Sequence, residues 1–430
     1  MSETQYAGPE IDASSAPPWA RRLGARFPLF AAMATTRLKE TLWSAATLLL
    51  LINAGVFAAV MISSSGVVAA DGIVKGGDFS VFKLAGDMVR AGNFLAAYGD
   101  GVIPEMLRAH YPEADTNFEL YWLYPPSMFF LVAALGFLPY FAAYGLWSGG
   151  SLALYAGVFA SEWKNHLAIF LLLACPTTYQ AIITGQTGLI TASLLFVAAV
   201  SAERRPILAG VAAGLLTVKP QLGLLIPVAF LGSGNGRAFM AAALTAILIA
   251  ALSTLAFGAE SWTAFFEAAR AQGARLNSDI FPFRKLVSPY GALSYLGAPA
   301  IFANGVQAGT TLALAAFVWT VWRRATDPMI KAAALLAAAP LASPYAFYYE
   351  MTIIAPAAFL IARQGLKHGW LTYEREMLAA AFTLCLFLPG EPQEAGLPLP
   401  FAITALVFAI VARRALPAAG VRFATRMKPA

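Results

Sequence analysis

Three predominantly apolar runs of more than twenty residues, at 42–63, 237–257 and 300–322, constrain this chain more than any other feature. A helix in a soluble core is apolar along one stripe, whereas a bilayer core about 30 Å thick demands about 20 apolar residues in succession. Shorter runs repeat the pattern at 125–138, 139–160, 166–183, 187–202, 206–218, 221–232, 330–342, 350–362, 376–389 and 398–412. They lack the period-2 alternation of barrel strands, and lipid tolerates only helices and closed barrels. Charged residues fill 12% of the 430 positions, against about 25% in a soluble domain. The expected fold is an all-α polytopic membrane protein.

The distribution of Lys and Arg orients it. Segments 1–40, 161–166, 203–205, 233–237, 323–331, 363–376 and 413–430 hold 20 of the 29 Lys and Arg, and such residues stay on the cytoplasmic side. The long loops 71–124 and 258–299 then lie outside. The first is acidic, with Asp71, Asp78, Asp87, Asp100, Glu105, Glu113, Asp115 and Glu119. Both termini are basic, so the crossings must be even in number, and thirteen candidate runs leave one too many. Pro139 splits 125–160, where one piece is expected to be re-entrant or interfacial, leaving about twelve crossings.

The chain divides into a cytoplasmic tail at 1–40, a single transmembrane domain at 41–412 and a basic cytoplasmic tail at 413–430. Residues 1–18, with Pro9, Pro17 and Pro18, read as disordered. Residues 19–40 read as a basic amphipathic helix on the cytoplasmic face or as a plain basic anchor. The first apolar run starts too late for a cleaved signal peptide. Cys175 and Cys385 fall inside apolar runs and read as buried small residues.

An ionisable group at membrane depth costs about 2.5–3.5 kcal/mol on insertion scales, so the few polar residues beside the spans mark the chemistry. Asp78, in Lys75-Gly76-Gly77-Asp78-Phe79, precedes an amphipathic stretch. There Phe79, Phe82, Leu84, Val89 and Phe94 turn to lipid or protein, and Asp87 and Arg90 to water. That reads as a juxtamembrane helix on the outer leaflet, with Asp87 in reach of a substrate. Asp78 is either the base for a hydroxyl nucleophile or an ordinary helix N-cap. Tyr124, in Tyr121-Trp122-Leu123-Tyr124-Pro125-Pro126, is an interface anchor or lines a headgroup site.

Gln186, in Gly185-Gln186-Thr187-Gly188, belongs to a tight outer turn or a sugar site. Lys219, with Pro220 and Gln221, stands alone between two apolar runs, as a snorkelling lysine or a phosphate ligand. Ser343-Pro344-Tyr345-Ala346-Phe347-Tyr348-Tyr349-Glu350 offers Tyr345, Tyr348 and Glu350 as substrate contacts. The plain alternative for Glu350 is a solvated carboxylate favoured by the helix dipole.

His110, His166 and His368 are scattered and form no metal constellation, so no metal and no cofactor is expected. No Walker loop or dinucleotide fingerprint appears, and no nucleic-acid partner is expected. Activated substrate must then arrive within the membrane.

The order of these motifs, "G-D-F", "Y-P-P", "G-Q-T", "K-P-Q" and "S-P-Y…Y-Y-E", resembles glycosyltransferase family 87 over residues 42–365. The resemblance implies a GT-C fold whose active site faces outward near the first outer loop. It implies a polyprenyl-phosphate sugar donor, mannose by default, and a lipid or glycan acceptor among membrane lipids. It places Asp78 as catalytic base, Lys219 at the donor phosphate and Gln186 beside the same cavity. One departure is evident: relatives often carry His and Asp after "S-P", where this chain has aromatic residues and Glu350. The rival expectation is a transporter or flippase of lipid-linked saccharide. Such proteins repeat their two halves around a midplane site, and no convincing repeat is found here. The location implied is the bacterial inner membrane, multi-pass, with the site facing the periplasm or cell exterior.

Overall fold

The computed structural model describes residues 38–114, 120–163, 166–275, 281–388 and 396–420. The expectations for 1–37 and 421–430, and the loop carboxylates Asp115 and Glu119, lie outside the described residues. Within the described residues the chain is helical, with two isolated bridges and no strand.

Four of the described helices are long and apolar enough to cross a membrane: Leu42–Ile62, Gly236–Phe257, Ala300–Arg324 and Leu399–Ala418. The pair His166–Ala174 and Pro176–Ile183, bent by 53° where Pro176 removes a backbone donor, forms a broken span or a re-entrant loop. On Gly236–Phe257, Ile247 is 65% exposed and Leu255 83%. In water each such side chain would forgo about 1.5–3 kcal/mol of burial, so lipid is the solvent these faces fit. The protein is a polytopic membrane protein.

At the centre stands Pro328–Ala342, buried along almost its whole length. Its run of alanines lets Gly188–Ser201, Ala300–Arg324, Ile354–His368 and Leu399–Ala418 all pack against it closely. Cys175 and Cys385 are both buried and free, as expected.

Loops that the charge count groups together also touch one another. Lys331 pairs with Glu203 at 2.7 Å, Gln364 donates to Asp327 at 2.6 Å, and Arg414 pairs with Glu374. A second set of loops meets around Lys75, whose Nζ donates to Met61 O and Ser64 O at 2.7 Å and closes the end of the first helix. Tyr140 donates to Lys75 O at 2.6 Å, and Val287 N to Ala346 O at 2.9 Å.

The helix in the first long loop, Phe79–Arg90, corrects one expectation. It is enclosed by protein rather than laid on a surface: Phe79, Phe82 and Leu84 are buried, and so are Ser80, Val81, Lys83 and Ala85 between them. Pro126–Phe137 covers it, so closely that a Cβ on Gly136 would stand 2.2 Å from Gly86 O. Pro126–Phe137 is mostly 3-10 turn and falls well short of the length needed to span about 30 Å. Of the two pieces in 125–160, the long helix is Tyr140–Glu162, with 23 residues.

Candidate active site

Two glycines with positive φ, Gly76 at 89° and Gly77 at 51°, turn the chain sharply into Phe79–Arg90 and leave Asp78 at its N-cap. The Asp78 carboxylate makes no capping bond. Gln186 Nε2 donates to its Oδ2 at 2.5 Å instead, across 108 residues of sequence. The helix-cap alternative for Asp78 therefore fails.

The turn that presents Gln186 is clamped on several sides. Phe79 N donates to Thr184 O at 3.2 Å, Trp147 Nε1 to Gly185 O at 2.8 Å and Tyr144 Oη to Ile182 O at 2.7 Å. Gly185 has φ 58°, and a Cβ there would lie 2.4 Å from Phe79 Cβ. The glycine in "G-Q-T" thus serves close approach to the helix that carries Asp78.

From Gln186 the hydrogen bonds continue. Tyr124 Oη donates to Gln186 Oε1 at 3.1 Å, and Thr187 N to the same oxygen at 3.3 Å. Thr187 Oγ1 accepts from Lys219 Nζ at 3.2 Å, and Lys219 Nζ donates to Glu350 Oε1 at 2.7 Å. The ammonium also lies 5.6 Å from the centre of the Tyr124 ring and 5.0 Å from that of Tyr349, where ring quadrupoles favour a cation.

Local sequence explains each placement. Pro206–Leu215 ends in a 3-10 turn, and Pro220 prevents it from continuing, so Lys219 sits in the break with its side chain turned inward. Glu350 rides on the 3-10 turn Tyr348–Ile353, which Gly188 lets approach: a Cβ on Gly188 would stand 2.3 Å from Tyr349 O.

Two expectations change. Lys219 does not stand alone, because it is paired with Glu350. Glu350 is not a solvated helix-start carboxylate, because it is wholly buried. Removing either partner leaves an uncompensated buried charge.

Asp78 is half-buried, on the floor of this network. Desolvation raises its pKa above the ordinary aspartate value, opposed by the bond from Gln186 and by the charges of Lys285 and Lys219. A carboxylate shifted in this sense suits a base that works near neutrality.

The remaining predicted residues divide. Tyr345 is exposed and packs edge-on to Tyr290 at 5.7 Å. Tyr348 is half-buried beside Tyr349, with ring centres 5.4 Å apart. Gln221 is half-buried on the turn after Lys219. Asp87 does not join this network: it pairs with Lys83 at 2.6 Å, nine residues or about 13 Å of helix beyond Asp78.

Thr187, Tyr349 and Lys285 were missed as site residues. Thr187 and Tyr349 lie inside motifs already noted. Lys285 carried no signal, being one of two adjacent cations in an otherwise ordinary loop. Among the described residues, no three His, Cys, Asp or Glu gather as a metal site would require.

Within the described residues, a helical membrane protein thus sets a desolvated carboxylate and a buried cation in one hydrogen-bonded network. The sequence profile of glycosyltransferase family 87 matches residues 122–344, and the chain belongs to that family. No curated protein and no solved structure matches it. Tyr124, Gln186 and Lys219 fall inside the matched stretch. Asp78 and Glu350 fall outside it, and the fold joins them to it.

Proposed function

We propose that this membrane glycosyltransferase moves a sugar, mannose by the family's habit, from a polyprenyl-phosphate donor to a hydroxyl of a lipid or glycan acceptor. Transfer takes place at the outer leaflet of the bacterial inner membrane, on the side the charge distribution assigns to the long loops. Ionised Asp78 accepts the hydroxyl proton while the oxygen attacks the anomeric carbon, and Gln186 holds the carboxylate in place. Lys219 faces the departing phosphate and offsets the charge that gathers on it. One displacement inverts the anomeric centre. Tyr124 and Glu350 line the site, and Tyr345, Tyr348 and Gln221 stand around its edge. The short apolar helices between the long ones complete a body of about twelve crossings.

The hydrogen-bonded path from Asp78 through Gln186 and Thr187 to Lys219 carries this reading, since it sets a base and a cation in one desolvated place. The test is transfer from radiolabelled polyprenyl-phosphate mannose in nanodiscs, with a total lipid extract of the host as acceptor. Asp78→Asn keeps an oxygen to accept from Gln186 and is expected to lose about 10²–10⁴-fold in rate while expressing normally. Undiminished transfer by Asp78→Asn would sink the assignment of the base. Absence of transfer by the wild type with every donor sugar tried would sink the reaction.

A further inference from the structure

The positive charge that the proposed reaction asks of Lys219 already has a partner. Its ammonium donates one hydrogen bond to Glu350 Oε1 at 2.7 Å and one to Thr187 Oγ1 at 3.2 Å, between the rings of Tyr124 and Tyr349. Glu350 is wholly buried, and its second oxygen, Oε2, has no hydrogen-bond partner among the described residues. Buried ionised carboxylates normally engage both oxygens. Here Lys219 alone holds the charge.

The surroundings offer no replacement. Lys219, Tyr124 and Tyr349 are the ionisable groups that face Glu350. Tyr155 reaches the same turn by donating to Thr352 O at 3.0 Å, with Cys175 behind it. Asp78 lies beyond Gln186, and Lys285 acts on Asp78. Lys219 is the one cation that faces Glu350 within this set.

A phosphodiester that arrives at Lys219 therefore sets two anions against one buried cation. Like charges in a shared low-dielectric site do not both stay ionised, and the weaker acid takes the proton. A phosphodiester is a much stronger acid than a carboxyl group, so the proton goes to glutamate. Resting on the donor assignment above, we infer that Glu350 is a positioning residue: it takes the place of the donor's phosphate on Lys219 before the donor arrives, and binds one proton when the phosphodiester displaces it. The proton comes from solvent, Lys219 stays an ammonium, and the only covalent bond formed is the O–H on Glu350. Once protonated, Glu350 becomes a hydrogen-bond donor toward the phosphate or the sugar.

Donor affinity then rises about tenfold for each unit the pH falls, so long as free Glu350 is ionised. The probe is citronellyl-phosphate mannose, a water-soluble phosphodiester that does not itself titrate near neutrality. The protein is the full chain in nanodiscs bearing Asp78→Asn, which silences the other carboxylate. Isothermal titration in two buffers of different ionisation enthalpy should count about one proton taken up per donor bound. Adding Glu350→Gln should abolish the uptake, flatten the pH dependence and tighten binding at pH 8. Binding by Asp78→Asn without proton uptake overturns this inference alone, whether or not the Glu350→Gln protein folds. Uptake that survives Glu350→Gln in a protein that also carries Lys219→Arg, whose guanidinium stays charged, overturns it too. Failure of the folded Asp78→Asn protein to bind the probe at any pH overturns the inference together with the donor assignment.

Discussion

Asp78 stands at the N-cap of a helix, yet its carboxylate accepts from a side chain 108 residues away. Its pH behaviour follows from that placement. Desolvation raises its pKa, while Gln186, Lys285 and Lys219 pull the other way. A base must be ionised to act, so with donor saturating, kcat should fall on the acid side at a higher pH than an ordinary aspartate would give. Lys285→Gln removes one opposing charge and should move that limb to still higher pH; a limb that stays put would show that Lys285 does not act on Asp78. The linkage to stability has the opposite sense to catalysis. A raised carboxyl pKa contributes stability in full below the unfolded-state pKa and loses it as pH rises through the folded-state value. Among the charged residues, sequence pointed to Asp78 because it follows the first long apolar run and opens an amphipathic stretch, and to Lys219 because it stands between two apolar runs. It concealed that Lys219 is neutralised, since Glu350 lies 131 residues further on and no local pattern joins them. It likewise gave no sign that Asp87 is engaged by Lys83, four residues earlier on the same helix.

At the scale of elements, the site depends on how closely three pieces approach: the start of Phe79–Arg90, the turn before Gly188–Ser201, and the turn Tyr348–Ile353. Gly188 governs the last of these contacts, where Thr352 Oγ1 donates to its carbonyl at 2.9 Å. Gly188→Val would drive a branched side chain into Tyr349 O, which an added Cβ already meets at 2.3 Å. Overpacking of this kind costs about 1–3 kcal/mol. It should also lower transfer, because the displaced turn carries Glu350 away from Lys219. Gly149→Ala is the matched control: nothing lies within 4 Å of its added Cβ, and alanine in a helix gains about 0.5–1 kcal/mol over glycine. Thermal unfolding in detergent, read beside initial rates, separates the two, and equal behaviour would show that the Gly188 contact does not hold the site. The long apolar runs were legible because twenty apolar residues admit few other readings. The burial of Phe79–Arg90 was not, because a helix alternates its faces in the same way whether the apolar one meets lipid or Pro126–Phe137.

On the scale of the whole molecule, two sets of loops gather separately. Segments around Glu203, Asp327, Lys331, Gln364 and Glu374 are joined by ion pairs and hydrogen bonds, while those around Lys75, Asp78, Gln186, Lys219, Ala346 and Glu350 hold the site. The excess of Lys and Arg falls in the first set, which the positive-inside rule assigns to the cytoplasm. An acceptor hydroxyl and a polyprenyl phosphate would then meet on the opposite side, where no nucleotide sugar is at hand. Single cysteines can test this directly, since Cys175 and Cys385 are both buried. Asp71→Cys and Arg204→Cys place a thiol at an exposed position of each set. In spheroplasts a membrane-impermeant maleimide should label Asp71→Cys at once and Arg204→Cys only after permeabilisation. The reverse order would put the Asp78 site in the cytoplasm, and the donor would have to be presented from the inner leaflet instead.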